Sequence, residues 1–172
     1  YGLGVALVKN VEHLLKSQFY EADYMQDAIE NRDEISPAEL SPELTKHFRG
    51  LRMWLPLQIH GMAPFKAALR EKLLLTKYYF DELTKIQNIR IINEPKLSIF
   101  AYRFEDPSLT EKENNLINKN LIEEIHRDGK IFLSSTTIQN QICLRIAILS
   151  FRTHLYEINI ALNEIKTKID AI

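Results

Sequence analysis

Lys46, His47, Arg49 and Arg52 crowd into a short stretch and surround Phe48, Leu51 and Trp54. Positive charge beside apolar and aromatic side chains reads in two ways. It is a surface helix with solvated charges, or an anion site at the edge of a packed core. The second candidate is Arg145, within the run Gln141 to Leu149. Strand alternation puts Ile142, Leu144, Ile146 and Ile148 on one face and Cys143, Arg145, Ala147 and Leu149 on the other. Both faces are apolar except for the guanidinium, so the strand is expected to be covered on both sides. A buried, uncompensated guanidinium costs several kcal/mol, so Arg145 is expected to have an anionic partner or to face a cleft. Its planar fork suits a carboxylate gripped at two points. The alternative is a structural ion pair with an acidic residue.

Other chemistries find little support. His13, His47, His60, His126 and His154 show no metal-pair spacing, and no cysteine or carboxylate cluster joins them, so no metal site is expected. Gly2-Leu3-Gly4 is too short for a phosphate loop, and no serine sits in a nucleophile-elbow context. Cys143 is the single cysteine, which rules out an internal disulfide and fits a reducing, cytoplasmic setting. Its apolar neighbours point to an inert, buried thiol. The formal net charge of −1 predicts no nucleic-acid partner. No apolar stretch approaches the ~20 residues that span a bilayer, so no membrane partner is expected.

The elements that must position these residues follow from periodicity. The 172 residues, 45% hydrophobic and 26% charged, are enough for a real core. Leu3 to Val8 reads as a buried strand, and Val11 to Phe19 as a helix. Glu21 to Leu40 is polar, acidic and aperiodic, a long loop of the functional or mobile kind. Ser41 is expected to cap a helix, with Pro42 in its first turn, Glu43 on its positive end, and Pro56 ending or kinking it. A long helix follows over about Pro64 to Gln87, with Phe65, Leu69, Leu73, Thr76, Phe80 and Leu83 inward. Ile89 to Asn93 and Leu97 to Phe104 read as strands about a Glu94-Pro95 turn. Thr110 and Glu113 form a capping box for a helix to Arg127, with Ile117, Leu121 and Ile125 inward and Asp128-Gly129 as its stop. Lys130 to Thr137 and Gln141 to Leu149 read as paired strands. Thr153 is expected to cap a last helix with a stripe of Leu155, Ile158, Leu162, Ile165 and Ile169. Strand, strand, helix, strand, strand, helix predicts an α+β domain, an antiparallel sheet covered by helices.

A family resemblance adds to this reading. Phe48-Arg49-Gly50-Leu51-Arg52-Met53-Trp54 with His60-Gly61 resembles a segment of the group II pyridoxal-phosphate-dependent amino acid decarboxylases, in their bacterial branch. Tyr1-Gly2-Leu3-Gly4-Val5-Ala6-Leu7-Val8 and Asp23-Tyr24-Met25-Gln26-Asp27 match in the same order. So do Ile131-Phe132-Leu133-Ser134-Ser135-Thr136-Thr137, Leu144-Arg145 and Ser150-Phe151-Arg152-Thr153. The resemblance covers nearly the whole chain.

It implies the C-terminal part of a fold-type-I carboxy-lyase of amino acid metabolism that works as a homodimer with pyridoxal 5'-phosphate. Residues 1–61 would be the tail of the large cofactor-binding domain, a mobile loop and a connecting segment. Residues 62–172 would be the small α+β domain, with the long helix linking the two. The matching arginine, Arg145, would meet the substrate carboxylate. Thr45 stands where many members carry glycine near the cofactor phosphate, and Lys46 and His47 stand at the arginines that follow it. Arg49 would anchor its helix, and Trp54 would pack in a core or interface. The Schiff-base lysine belongs to a His-Lys pair expected just before Tyr1; this sequence has none, so the chain alone is expected to be inactive. No tyrosine lies between Tyr24 and Tyr78, where animal-type members carry their proton donor. A non-catalytic α+β module for dimerisation or regulation is the alternative, and which amino acid would be the substrate stays open.

Overall fold

The computed structural model describes residues 2–18, 35–43 and 45–172. The Asp23 to Asp27 motif and the greater part of the Glu21 to Leu40 loop lie outside the described residues. The chain divides into two compact units, Tyr1–Met62 and Ala63–Ile172.

In the first unit, helix α1 (Val11–Gln18) matches the apolar spacing and half-buries Leu14 and Leu15. Leu3 to Val8 is irregular rather than a strand. A strand needs a neighbour to take its backbone donors and acceptors, and none of the described residues pairs with it; Val5 and Leu7 are exposed. A capped 3₁₀ turn, Pro37–Leu40, follows, with Ser36 and Glu39 closing a reciprocal box. The helix expected from Ser41 starts ten residues later, as α2 (Leu51–His60) behind Gly50. Ser41 instead ends the 3₁₀ turn in an extended conformation. The cap signal belonged to Ser36-Pro37, five residues upstream. Pro56 sits inside α2 without ending it.

The second unit carries the core. A four-stranded antiparallel sheet runs in the order β1 (Ile89–Ile91), β2 (Ile99–Phe104), β4 (Gln141–Ala147), β3 (Ser134–Ile138). Helices α3 (Ala63–Leu83), α4 (Glu111–Asp128) and α5 (Leu155–Ile169) bring Leu75, Tyr79 and Leu83, Leu121, Ile122 and Ile125, and Ile158, Leu162, Ile165 and Ile169 onto Phe100, Tyr102, Phe104, Leu144 and Ile146. The expected α+β class is the observed one. Each aliphatic side chain buried here contributes about 1.5–3 kcal/mol. The aromatic centre is ordered as well as apolar. Tyr79 and Tyr102 share a hydroxyl–hydroxyl bond of 3.1 Å, and burial pushes both phenols well above their ordinary pKa.

Several boundaries differ for local reasons. The buried face of α3 is Lys72, Leu75, Thr76, Tyr79 and Leu83; Leu69, expected inside, is 68% exposed. Lys72 is tolerated there because Nζ donates to Glu71 and to the Thr153 carbonyl. β2 begins at Ile99 because Leu97 takes a left-handed conformation (φ 57°) in the turn before it. The β3–β4 hairpin turns on Gln139 and Asn140, both with positive φ, as a two-residue primed turn requires. α4 has the expected Thr110–Glu113 box and ends on Gly129 in the left-handed region (φ 68°). α5 is capped at His154, not Thr153, with the His154 N–H donating to Glu157 at 2.8 Å. Leu155 of the expected stripe is exposed. No helix of the described residues is long and apolar enough to cross a membrane.

Candidate functional site

The two faces of the sheet differ in kind. Phe100, Tyr102, Leu144 and Ile146 point into the core, so by alternation Ala101, Arg103, Cys143, Arg145 and Ala147 belong to the other face. Cross-strand register extends that second face through Arg90 on β1 and through Ser134 and Thr136 on β3. Three arginines therefore share it. Arg90 pairs with Glu105 at 2.9 Å. Arg103 pairs with Glu111 at 2.8 Å.

Arg145 differs from both, and from the sequence expectation. It is exposed, as are Ala147 and Leu149, so β4 is not covered on both sides. Apolar alternation measured how hydrophobic the run is, and did not reveal that the second face stays open towards its end. Arg145 has no carboxylate partner among the described residues. Its Nε donates to Ser134 Oγ at 2.9 Å, directly across the β3–β4 register, and the Ser134 hydroxyl reaches the Arg145 carbonyl at 3.3 Å. Neither Nη group has a partner among the described residues.

The fully buried guanidinium is that of Arg103, 0% exposed. It sits where β2 and β4 part. Glu105 and Ala101 bond the β1 side, so Phe104 turns its N–H and C=O towards β4. No strand bond is made there, because the β2–β4 pairing stops at Tyr102 and Leu144. Asparagines of α4 fill the gap. Asn118 accepts from the Phe104 N–H at 2.9 Å and donates to its carbonyl at 2.8 Å. Asn115 accepts from the Ile142 N–H at 2.8 Å and donates to the Asn140 carbonyl at 2.9 Å. Glu111, one turn earlier, takes Arg103 and the Gln141 side chain. Arg103 first, then Gln141, holds the Glu111 carboxyl below its ordinary pKa. Cys143 is buried beside this cluster, and burial raises its thiol pKa.

Sequence reasoning passed over Arg103 and the asparagines. The available signal was Asn114, Asn115 and Asn118 inside an otherwise ordinary helix, where asparagine is a poor helix former. At a spacing of three and four they share one helix face.

The basic segment of the first unit forms an open depression of about 500 Å³ whose lining includes Gly4, Ser41, Glu43, Lys46, His47 and Arg49. Glu43, expected on a helix end, pairs instead with Arg49 through both carboxylate oxygens, and this pairing lowers its pKa. Lys46 Nζ donates to Ser41 Oγ at 2.6 Å and to the Pro37 carbonyl at 3.1 Å. Arg52 Nη1 donates to the Gly2 carbonyl at 2.6 Å. φ at Gly2 is 74°, a conformation that favours glycine, whereas the Arg52 guanidinium that a Cβ would meet is the end of a flexible side chain and can move aside. Thr45 and His47 are exposed beside the paired groups. Trp54 is 57% exposed, and α2 buries none of its residues in this chain. The depression and Arg145 belong to different units.

The sequence and fold have known counterparts. The aromatic-L-amino-acid decarboxylase of Bacillus atrophaeus is 27% identical over 174 residues, covering 100% of this chain and 36% of that protein. The tyrosine decarboxylase of Papaver somniferum is 24% identical, over 96% of this chain and 34% of its own length. Among solved structures, an Oryza sativa TDC with PLP and tryptamine superposes with a TM-score of 0.76 at 18% identity, over 95% of this chain and 34% of that one. The Catharanthus roseus tryptophan decarboxylase with L-tryptophan gives 0.73 at 18%, over 85% and 31%. The fold is that of the C-terminal part of these structures. The chain spans about a third of the length of the curated relatives it matches. No protein-family model matches it.

Proposed function

We propose that this chain, which resembles the C-terminal part of group II pyridoxal-phosphate-dependent amino acid decarboxylases, works as that part of such an enzyme. The observation that carries the reading is the relatedness of its entire length to an aromatic amino acid decarboxylase. Arg145 supports it from the geometry: an exposed side chain whose guanidinium is held at Nε, with no partner at either Nη among the described residues. That is the arrangement a carboxylate needs for two parallel, charge-assisted hydrogen bonds.

Each residue then has a role. Arg145 holds the substrate carboxylate and so orients the amino acid. Thr45 offers a hydroxyl and an N–H to the cofactor phosphate. Lys46 has one ammonium donor left after Ser41 and Pro37, and His47 is exposed beside it. These donors fit a phosphate; Arg49, already held by Glu43, does not contribute. When bound, pyridoxal phosphate supplies the electron sink for loss of CO2. Residues 1–61 act as the tail of the cofactor-binding domain and residues 62–172 as the small domain. The lysine that holds the cofactor is not in this sequence, which contains no His-Lys pair. The exposed Leu51, Met53, Trp54, Leu55 and Ile59 of α2 suit a homodimer contact, since so much apolar surface on one helix is normally covered.

The test is CO2 release by the full protein that contains this chain, supplied with pyridoxal phosphate and L-tryptophan, L-tyrosine or L-phenylalanine. Stoichiometric amine and CO2 from any of them would support the reading. No release from these or other neutral amino acids would leave a non-catalytic module.

A further inference from the structure

We propose that Ser134 is the positioning residue that aims Arg145 at a carboxylate; this rests on the carboxylate-binding reading of Arg145. The two residues are register partners on adjacent strands. Ser134 Oγ accepts from Arg145 Nε at 2.9 Å while its hydroxyl proton is directed to the Arg145 carbonyl at 3.3 Å. The serine proton is thus engaged by the backbone, which turns an oxygen lone pair towards Nε. The hydroxyl has one orientation that serves both contacts.

Geometry decides what this does to the guanidinium. An arginine gripped through Nη1 and Nη2 is spent, as Arg49 is on Glu43. One gripped only at Nε keeps its Nη1–Nη2 edge whole. Arg90 and Arg103, on the same sheet face, have carboxylates. Among the described residues Arg145 has only the serine, which fixes the plane of the fork without neutralising it. A free arginine on an open surface samples many rotamers and loses that freedom on binding. Anchoring Nε to the neighbouring strand removes part of this loss in advance, so Ser134 should act on substrate affinity through Arg145.

The experiment uses the full enzyme. The better substrate of L-tryptophan and L-tyrosine is assayed, with the matching amine, tryptamine or tyramine, as a competitor that lacks the carboxylate. The variants are Ser134→Ala, Ser134→Thr, Arg145→Met and the Ser134→Ala/Arg145→Met double. Ser134 is half-buried on an edge strand, and Ser134→Val serves as a second hydroxyl-free variant should Ser134→Ala fold poorly. Ser134→Ala should raise KM for the amino acid about three- to tenfold, the range for losing one hydrogen bond. It should leave kcat and the Ki of the amine near wild type. Ser134→Thr should restore KM to within about twofold, because the hydroxyl is kept. On the Arg145→Met background, Ser134→Ala should add nothing. A wild-type KM for Ser134→Ala beside a raised KM for Arg145→Met overturns this proposal alone. So does an equal loss on both backgrounds, or a parallel rise in amine Ki, either of which marks a structural serine. An unchanged KM for Arg145→Met overturns the carboxylate reading, and this proposal with it.

Discussion

Asn118→Leu should be the most damaging single change in α4. The side chain is fully buried and bridges the Phe104 N–H and C=O in the gap between β2 and β4. Leucine keeps the branched shape and removes both polar contacts. Phe104 is itself buried, and an unpaired buried backbone group costs about 1–3 kcal/mol. Two such groups, less the apolar gain of leucine, give a loss on the order of 2–4 kcal/mol. Stability of a domain this size is about 5–15 kcal/mol, so the loss is a large fraction of the whole. With a urea m value of about 2 kcal/mol/M, the midpoint should fall by about 1–2 M at unchanged m. Asn118→Asp supplies a sharper signature. Its carboxylate still accepts from the Phe104 N–H but repels the Phe104 and Asn114 carbonyls that the amide served. Burial against two carbonyls raises the folded-state pKa of that aspartate above its unfolded value. Its deficit relative to wild type should therefore shrink as pH falls through that raised value. Urea curves by circular dichroism at several pH values measure both effects. A shift under 0.3 M, which corresponds to less than about 1 kcal/mol, for Asn118→Leu would refute the claim that the asparagine substitutes for missing strand pairing.

Arg145→Lys in the full enzyme should lower kcat/KM about ten- to a hundredfold, because lysine keeps the charge and loses the fork; wild-type kcat/KM with a lowered Tm would make Arg145 structural. The 172-residue chain mixed with pyridoxal phosphate should give no stoichiometric, borohydride-trappable adduct on a single lysine, as mass spectrometry of tryptic peptides would reveal. Ile59→Glu on the exposed apolar helix should weaken self-association of the full protein by about tenfold or more in Kd, by sedimentation, and an undisturbed dimer would remove α2 from the interface. Arg103 depresses the Glu111 pKa, so this pair contributes stability above the ordinary value near 4.5 and loses it as pH falls through the lower folded value. The Tm gap between wild type and Glu111→Gln should close in that acidic window.

Legibility in the sequence followed the range of the interaction. The sheet-and-helix order after Ile89, the Thr110–Glu113 box and the Gly129 stop depend on neighbours within a few residues, and all were readable. The α3 face was legible in its second half, where Thr76, Phe80 and Leu83 turn inward, and missed in its first, because leucines at 69 and 73 satisfy helical periodicity as well as Leu75 and Tyr79 do. Tertiary packing decides between them: Leu75, Tyr79 and Leu83 meet the sheet core, and Lys72 reaches the Thr153 carbonyl. Arg145 was singled out by type and position, yet its exposure and its serine partner depend on where the second face of the sheet stops being covered. Arg103 went unread because its ion pair spans two elements and its neighbours on the strand are aromatic.

The division of labour across the sheet bears on how this protein can change over generations. Nearly every large side chain of the core enters from one face, while Arg145, Ala147, Leu149 and the half-buried Ser134 occupy the other. Substitutions at those outer positions remove little packed volume and leave the asparagine wedge untouched. Exposed positions away from caps and networks cost within about 0.5 kcal/mol. Lineages could therefore alter what the outer face recognises through a run of single steps, none of which brings the domain near its unfolding threshold.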